Sequence, residues 1–183
     1  MTRFLFFIFT LWAMNTAHAT SWADILTNKI EIGKWQIVEF AGSEQMIYRI
    51  SSNSINTPET NIAFDFFPSI DCVSPTATLI IKLKYYSDDI NGGLLIYEYK
   101  LPNQKKNIEI VKAVMSEDDT FAFFPFKELT VKNLLESKDK GKLAIWIPAS
   151  GNGAVKKSNN MYFSLEGFSL AYSKAKTLCE EGK

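Results

Sequence analysis

Two acidic loops carry the residue types best suited to chemistry. Asp88 and Asp89 lie in a segment rich in Ser, Asn and Gly, and Asp118 and Asp119 follow Glu117. Clustered carboxylates could bind calcium through their oxygens, and a carboxylate pair could act as the acid and base of a glycoside hydrolase. Neither loop has the ligand spacing of an EF-hand. Because Asp, Asn, Ser and Gly also build tight turns, we expect two turns here, with calcium binding at these four aspartates as the alternative.

The N-terminal segment decides where such chemistry would take place. An apolar run extends over residues 4–14, and Ala17, His18 and Ala19 form the small-x-small pattern of a signal-peptidase site. The run is about ten residues, too short for the ~20 needed to cross a bilayer. The sequence therefore predicts a signal peptide over residues 1–19 and an exported, soluble protein that begins at Thr20. We expect it in the periplasm of a Gram-negative bacterium or secreted.

Loss of the signal peptide would remove the single histidine of the chain, His18. Without an imidazole, Ser-His-Asp and Cys-His nucleophilic centres are excluded, and a catalytic zinc site is disfavoured. An enzyme would have to use carboxylates, Lys or Tyr. We therefore expect a protein that is not an enzyme and carries no cofactor or metal, with a carboxylate-dependent hydrolase as an alternative.

Composition narrows the range of partners. The chain has 20 Lys and Arg against 20 Asp and Glu, and loss of Arg3 would leave a net charge of about −1 and Arg49 as the sole arginine. This is not the basic excess of a nucleic-acid-binding protein. After the N-terminal segment, no other apolar run in the sequence approaches membrane-spanning length. Five lysines make the second half of the chain locally basic: Lys138, Lys140, Lys142, Lys156 and Lys157. A solvated surface is the expected role of these lysines, with a face for an anionic polymer as the alternative.

Two cysteines, Cys72 and Cys179, lie about 107 residues apart. In an exported protein an even count of two most simply indicates a disulfide. Closing a loop of this length stabilises the fold by up to ~4–5 kcal/mol in the chain-entropy model. The alternative is a redox or metal-binding pair, but C-x-x-C spacing is absent.

The elements that position these residues are mostly strands. Apolar side chains alternate with polar ones most clearly over residues 78–86 and 94–101, where Leu95, Tyr97, Tyr99 and Leu101 share one face. Short polar links join these two segments to residues 107–115 and 120–124, which predicts a four-stranded antiparallel meander. Further strands are predicted over residues 34–40, 46–50, 61–67, 142–147 and 161–165, the first two as a hairpin turning at residues 41–43.

Three helices are predicted. A capping box over Ser21–Asp24 opens a short N-terminal helix that includes Leu26. Residues 126–136 have apolar residues near helical spacing. The C-terminal helix follows Gly167 and places five residues on one face: Phe168, Ala171, Tyr172, Ala175 and Leu178. A Cys72–Cys179 bond would attach this helix to the loop that follows Pro68.

The C-terminal sequence 162–172, followed by Cys179, has a distinctive form: Tyr-Phe-Ser-Leu-Glu-Gly-Phe-Ser-Leu-Ala-Tyr. This strand-to-helix ending resembles that of small exported β-sandwich proteins of the invasion-associated locus B type. It is also similar to the ending of periplasmic accessory proteins of type VI secretion systems. Lys34 and Trp35, which open a strand, fit the same pattern. The resemblance implies a periplasmic β-sandwich without a known catalytic centre, and several cysteines are usual in the first family where this chain has two.

We therefore expect a mostly β protein. It is an antiparallel β-sandwich of about eight or nine strands in one domain over residues 20–183, with a short N-terminal helix and a disulfide-tied C-terminal helix. The expected function is binding of another envelope or secreted protein, as an accessory factor of the envelope or of a secretion system. The alternative is a binder of peptidoglycan or another glycan, or an inhibitor of a wall-degrading enzyme. Core packing is the expected role of the aromatics, with a sugar-stacking platform as the alternative: Trp35, Trp146, Phe64, Phe66, Phe121 and Phe123.

Overall fold

The computed structural model describes most of the chain after residue 25. The described residues are 26–41, 45–57, 59–82, 94–116, 120–126, 129, 131–147 and 159–182. The predicted signal peptide, the capping box at Ser21–Asp24 and both acidic loops lie outside them.

The described residues form eleven strands in two antiparallel sheets. The large sheet has seven strands in the spatial order β1 (Leu26–Ile32), β2 (Trp35–Ala41), β3 (Met46–Asn53), β4 (Thr60–Phe67), β5 (Asp71–Lys82), β9 (Phe121–Pro125) and β8 (Val114–Met115). The small sheet has four strands in the order β11 (Asn159–Ser164), β10 (Lys142–Ile147), β6 (Leu94–Lys100) and β7 (Asn107–Lys112). Two helices accompany them, α1 (Val131–Leu135) and α2 (Phe168–Glu181). The predicted mostly β, sandwich-like architecture is confirmed.

One hydrophobic core joins both sheets and α2. Strand alternation builds it, because every second side chain of a strand points to the same face. Ile62, Phe64 and Phe66 of β4 are fully buried, as are Leu143 and Ile145 of β10. Each fully buried side chain of this size stabilises the fold by ~1.5–3 kcal/mol relative to leaving it in water.

The predicted core role of the aromatics holds for Trp35, Phe64 and Phe66, which are at most 1% exposed. Phe121 and Phe123 of β9 are partly exposed, and so is Trp146 of β10. Strand position explains the difference. Ala122, between them in β9, and Phe124, which follows Phe123, are fully buried, so Phe121 and Phe123 lie on the opposite face of the sheet.

The predicted N-terminal helix is wrong at Leu26, where β1 begins. Strand β1 pairs with β2 along its length, with Lys29 opposite Val38 and Ile32 opposite Trp35. Ile30 and Ile32 pack against the core, while Glu31 is exposed. This alternation has the period of a strand, and pairing with β2 decides the conformation.

The predicted meander is also wrong, because its four strands are divided between the two sheets. Strand β5 pairs with β4 and β9, whereas β6 and β7 pair with each other in the small sheet. The segment predicted as one strand over residues 107–115 is two strands. The chain leaves the small sheet after Lys112, passes through the buried Ala113 and joins the large sheet as β8. The division of residues 107–115 into β7 and β8, together with the additional strand β1, raises the number of strands above the expected eight or nine.

Two other boundaries differ from those predicted. Strand β5 begins at Asp71, so Cys72 lies within a strand and not in a loop. Helix α1 is confined to Val131–Leu135, with Val131 and Leu134 buried; Phe126, expected within a helix, precedes it and packs edge-on against Tyr99. The hairpin of β2 and β3 is confirmed by their antiparallel register.

The C-terminal helix is confirmed, and so is its disulfide. Helix α2 packs across β1 to β5 of the large sheet with Phe168, Ala171, Ala175 and Cys179 buried. Cys179 is bonded to Cys72, and their Cα atoms are 5.8 Å apart. Leu178 is partly buried against the core. Among the described residues, none of the helices has the length and apolar character needed to cross a membrane.

Candidate functional site

The residues that carry the family resemblance meet at one junction. The turn between β1 and β2 lies against the turn between β11 and α2, and the backbone N–H of Lys34 donates to the Glu166 carbonyl oxygen at 3.1 Å. A Cβ on Gly33 would lie 2.6 Å from that oxygen, and a Cβ on Gly167 would lie 2.6 Å from the Ile32 carbonyl oxygen. Both glycines also have positive φ, 59° and 86°. The two turns touch only because both positions lack a side chain.

Aromatic packing completes this junction. The Trp35 indole N–H donates to the Ser164 carbonyl oxygen at 3.1 Å. Its ring contacts Phe168 edge-on, with centroids 4.9 Å apart, and lies 6.0 Å from Phe64. These rings are at most 1% exposed, so they cannot stack on a ligand. The junction is therefore a structural feature that fixes α2 to the sheets.

A polar cavity of about 190 Å³ lies beside this junction. Small-molecule sites are usually ~300–1,000 Å³ and mostly apolar, so this cavity is smaller and more polar than a typical small-molecule site. Its lining includes Gln36 and Ser51, which already hydrogen bond to each other at 3.0 Å. The complete lining is Glu31, Gly33, Lys34, Trp35, Gln36, Ser51, Ser52 and Asn53.

The sole arginine of the predicted mature chain is engaged within the large sheet. Arg49 and Asp65 are cross-strand partners, joined by two hydrogen bonds of 2.6 and 2.8 Å. The guanidinium also lies 5.1 Å from the centroid of the Phe40 ring. A bidentate carboxylate occupies the fork that would otherwise hold a phosphate, so this arginine serves the fold.

The four aspartates predicted as calcium ligands lie outside the described residues, and their role stays a prediction. Within the described ranges, His, Cys, Asp and Glu side chains do not converge in any group of three or more that could hold a metal ion. The two cysteines are fully buried and bonded to each other, so they act as a structural disulfide.

The outward face of the small sheet combines exposed apolar side chains with several lysines. We call it the outer face and define it by alternation with buried neighbours. Buried residues of each strand point to the core: Tyr99 in β6, Val111 in β7, Leu143 and Ile145 in β10, and Met161 and Phe163 in β11. The described side chains that alternate with them form the outer face, which includes Glu98, Lys100, Lys106, Ile108, Ile110, Lys112, Lys142, Ala144, Trp146, Asn160 and Tyr162.

An organised cluster lies at the centre of the outer face. Register places Asn160, Trp146, Glu98 and Ile108 in one row across the four strands. Lys106 forms an ion pair with Glu98, and its ammonium lies 5.0 Å from the centroid of the Trp146 ring. A lysine held over an indole by a carboxylate fixes the orientation of the partly exposed Trp146.

Two exposed isoleucines lie beside this cluster, at the edge of the small sheet. Ile108 is 64% exposed and Ile110 is 56% exposed, and both lie on β7, which among the described strands of the small sheet is paired on one side only. Exposed aliphatic side chains beside a tryptophan give the composition of a binding surface.

Charge is unevenly distributed on the outer face. Lys100, Lys106, Lys112 and Lys142 lie on it together with one acid, Glu98, although the whole chain is balanced. Of the lysines singled out in the sequence, Lys142 belongs to this face. Lys138 and Lys140 lie in the turn before β10, and residues 156 and 157 are outside the described residues.

Sequence reasoning missed the exposure of Ile108 and Ile110. Strand β7 has apolar side chains on both faces, since Val111 is buried while both isoleucines are exposed, although its buried face also carries Glu109. The adjacent apolar pair Ile110 and Val111, one on each face, was the available signal, because a strand at the surface ordinarily keeps one polar face.

No family model matches the sequence, and the curated proteins give no match. Among solved structures, the fold is similar to that of invasion associated protein B from Bartonella henselae. The sequences are 14% identical, the TM-score is 0.52, and the match covers 86% of this chain and 100% of the other. At this identity the likeness establishes the fold, which confirms the first resemblance seen in the sequence. The likeness to type VI secretion accessory proteins stays a prediction.

Proposed function

We propose that this protein is a non-enzymatic binding protein of the bacterial envelope that holds a partner protein on the outer face. The observation that carries the proposal is the combination of Trp146, Ile108 and Ile110 on one exposed surface. Tryptophan is among the residues most enriched at the energetic centres of protein interfaces. When a partner covers aliphatic side chains that are more than half exposed, removal of their apolar surface from water stabilises the complex.

The charge pattern supports the same function. Interface centres are depleted of lysine, whereas rims are polar and charged. On the outer face, Lys100, Lys112 and Lys142 lie around the row that contains Trp146 and Ile108. This arrangement favours an acidic partner and would increase its rate of association at low salt.

Partner capture from the envelope tests this proposal. The parent and an Ile108→Asp/Ile110→Asp variant would be expressed with the native signal peptide, crosslinked in cells and purified from the envelope fraction. Both side chains are exposed, so the variant should retain its melting temperature. We expect it to lose the crosslinked partner.

Ile70→Asp is the matched control, because Ile70 is 79% exposed in the turn between β4 and β5 and lies off the outer face. It should capture the partner as the parent does. Equal recovery of partner by the parent and the Ile108→Asp/Ile110→Asp variant would refute binding at the outer face.

Glycan binding is the second candidate, and a specific observation favours it. Trp146 and Tyr162 flank Ala144 on neighbouring strands, and both rings are partly exposed. Adjacent aromatic rings on a flat sheet can stack against sugar rings, and the surrounding lysines would suit an anionic wall polymer. In a pelleting assay with purified peptidoglycan, this candidate requires Trp146→Ala to remain in the supernatant. A parent protein that does not pellet would exclude it.

A further inference from the structure

We propose that the open edge of β7 binds an extended acidic segment of the partner protein, which adds to the small sheet as a fifth strand. This inference rests on the proposed binding function and specifies the mode of recognition. Among the described residues, β7 pairs with β6 on one side and with no strand on the other. Such an edge presents backbone donors and acceptors to an incoming strand.

The side chains of the edge indicate what the incoming strand must carry. Along the outer face, β7 and the residue that leads into it present Lys106, Ile108, Ile110 and Lys112 at every second position. All four are exposed. Two apolar side chains are thus flanked by one lysine at each end.

Cross-strand neighbours interact directly, and opposite charges or apolar pairs stabilise a sheet. The complementary segment therefore has two apolar residues at alternating positions with an acidic residue two positions beyond each. Because the pattern reads the same in both directions, a parallel and an antiparallel segment would both match the side chains.

A second copy of this chain is a poor occupant of the same edge. The antiparallel register that pairs Ile108 with Ile110 of the other copy would place Lys106 opposite Lys112 and Glu109 opposite Glu109. Like charges directly opposite each other destabilise a sheet. Shifting the register by two residues in either direction places a lysine opposite an isoleucine. Edge lysines are a common device against self-association, and here they leave an acidic partner free to bind.

A synthetic peptide provides a direct test. The probe is the acetylated and amidated heptapeptide Glu-Thr-Val-Thr-Val-Thr-Glu, and binding to the full mature protein is measured by fluorescence anisotropy at low salt. We expect saturable binding. The same peptide with lysine at both ends should bind at least about two-fold more weakly, because its charge pair with Lys112 becomes repulsive. Lys106 contributes less to this difference, because Glu98 already forms an ion pair with it.

A lysine variant tests the charge match from the side of the protein. Lys112→Glu should weaken binding of the acidic probe by about two- to five-fold. We choose Lys112 because Lys106 is already held by Glu98 and Trp146. Lys132→Glu, an exposed lysine on α1, is the matched control and should bind the probe as the parent does. Equal affinities of the Lys112→Glu variant and the parent would overturn the charge match.

Backbone methylation separates strand addition from contact by side chains alone. Two probes would carry N-methyl groups on alternate residues, one on positions 2, 4 and 6 and the other on positions 3 and 5. In an added strand one of these sets faces β7 and the other faces solvent. We expect one methylated probe to lose binding and the other to retain it. Retention of binding by both would overturn strand addition.

These outcomes are distinguishable from failure of the proposed function. If the Ile108→Asp/Ile110→Asp variant loses its crosslinked partner while the acidic heptapeptide shows no saturable binding, the outer face binds a protein but the edge-strand mode is wrong. Dimerisation of the parent that Ile110→Asp abolishes would identify the second copy as the occupant and overturn the acidic segment.

Discussion

At the scale of single residues, two glycines determine whether the ends of the fold can meet. Gly33 and Gly167 lie in turns that belong to distant parts of the sequence, and each occupies the left-handed region of backbone conformation. Each also leaves space for the carbonyl oxygen of the other turn. A side chain at either position would therefore meet both a conformational penalty and a backbone clash.

Gly167→Ala should lower the free energy of unfolding by about 2–4 kcal/mol. The reason is the positive φ of 86° together with the 2.6 Å approach of a Cβ to the Ile32 carbonyl oxygen. Urea denaturation followed by tryptophan fluorescence measures the change. Leu170→Ala, at a position 63% exposed on the same helix, is the control and should change stability by less than about 0.5 kcal/mol. Equal stability of the two variants would show that the turns can separate without cost.

Tyr48 links stability to alkaline pH. Burial raises the pKa of its hydroxyl above the ordinary value, and Glu39 and Glu181 raise it further. Between the pKa values of the unfolded and folded states, the folded chain binds more protons. The stabilisation is therefore complete below the ordinary tyrosine pKa of about 10 and is lost as the pH rises through the folded value.

We expect the unfolding free energy of the parent to fall more steeply above about pH 10 than that of a Tyr48→Phe variant. Comparing the two chains isolates Tyr48, because every other titrating group is common to both. Urea denaturation at intervals from neutral to alkaline pH provides the measurement. Parallel curves of unfolding free energy against pH for the two proteins would show that Tyr48 does not cause the loss of stability at alkaline pH.

At the scale of elements, α2 depends on contacts made far away in the chain. Its amino end is held by Asp139, whose carboxylate accepts hydrogen bonds from the backbone N–H and the hydroxyl of Ser169 at 2.8 and 2.7 Å. A carboxylate near the first turn of a helix satisfies free N–H groups and complements the helix dipole. Near its other end, Cys179 is bonded to β5. The helix is therefore fixed at both ends by residues outside it.

Replacing both Cys72 and Cys179 with alanine should lower the free energy of unfolding by ~2–4 kcal/mol. The bond spans 107 residues, and its loss restores conformational freedom to the unfolded chain. Leu178→Asp should cause a comparable loss by placing a charge against the core. Leu170→Asp, on the exposed side of α2, is the matched control. If the double alanine variant were as stable as the parent in urea, the bond would not hold the helix.

At the scale of the whole molecule, charge is balanced overall but segregated in space. The chain has equal numbers of basic and acidic residues, yet the outer face carries four lysines and Glu98. Arg49 is neutralised by Asp65 on the large sheet, and Lys29 by Glu31. A neutral composition therefore conceals a local positive field, which can steer an acidic partner.

Export is the expectation that belongs to the whole chain. Protein recovered from the periplasm should begin at Thr20, because signal peptidase cleaves after a small-x-small sequence such as Ala17 to Ala19. Edman sequencing or intact mass measurement identifies the new terminus. Changing Ala19 to a bulky residue such as Phe should leave an uncleaved precursor. A periplasmic product that retains residues 4–9 would show that the segment is an anchor.

The sequence by itself determined the class of the fold and the position of most elements. Alternation of apolar and polar residues depends on the local chain, so β10 and the face of α2 could be placed from their own residues. The disulfide was predictable because a count of two cysteines leaves one intramolecular pairing. The absence of histidine after His18 also needed no structure, because it is read directly from the sequence.

Only the tertiary structure decided which strands are neighbours and which surface is left open. Alternation shows that a strand has two faces, but pairing energy comes from residues distant in sequence. For that reason β6 and β7 could be predicted as strands and yet be assigned to the wrong sheet. The exposure of Ile108 and Ile110, and the assembly of Lys106, Glu98 and Trp146, depend on that pairing. The candidate site therefore exists only once β6, β7 and β10 lie side by side.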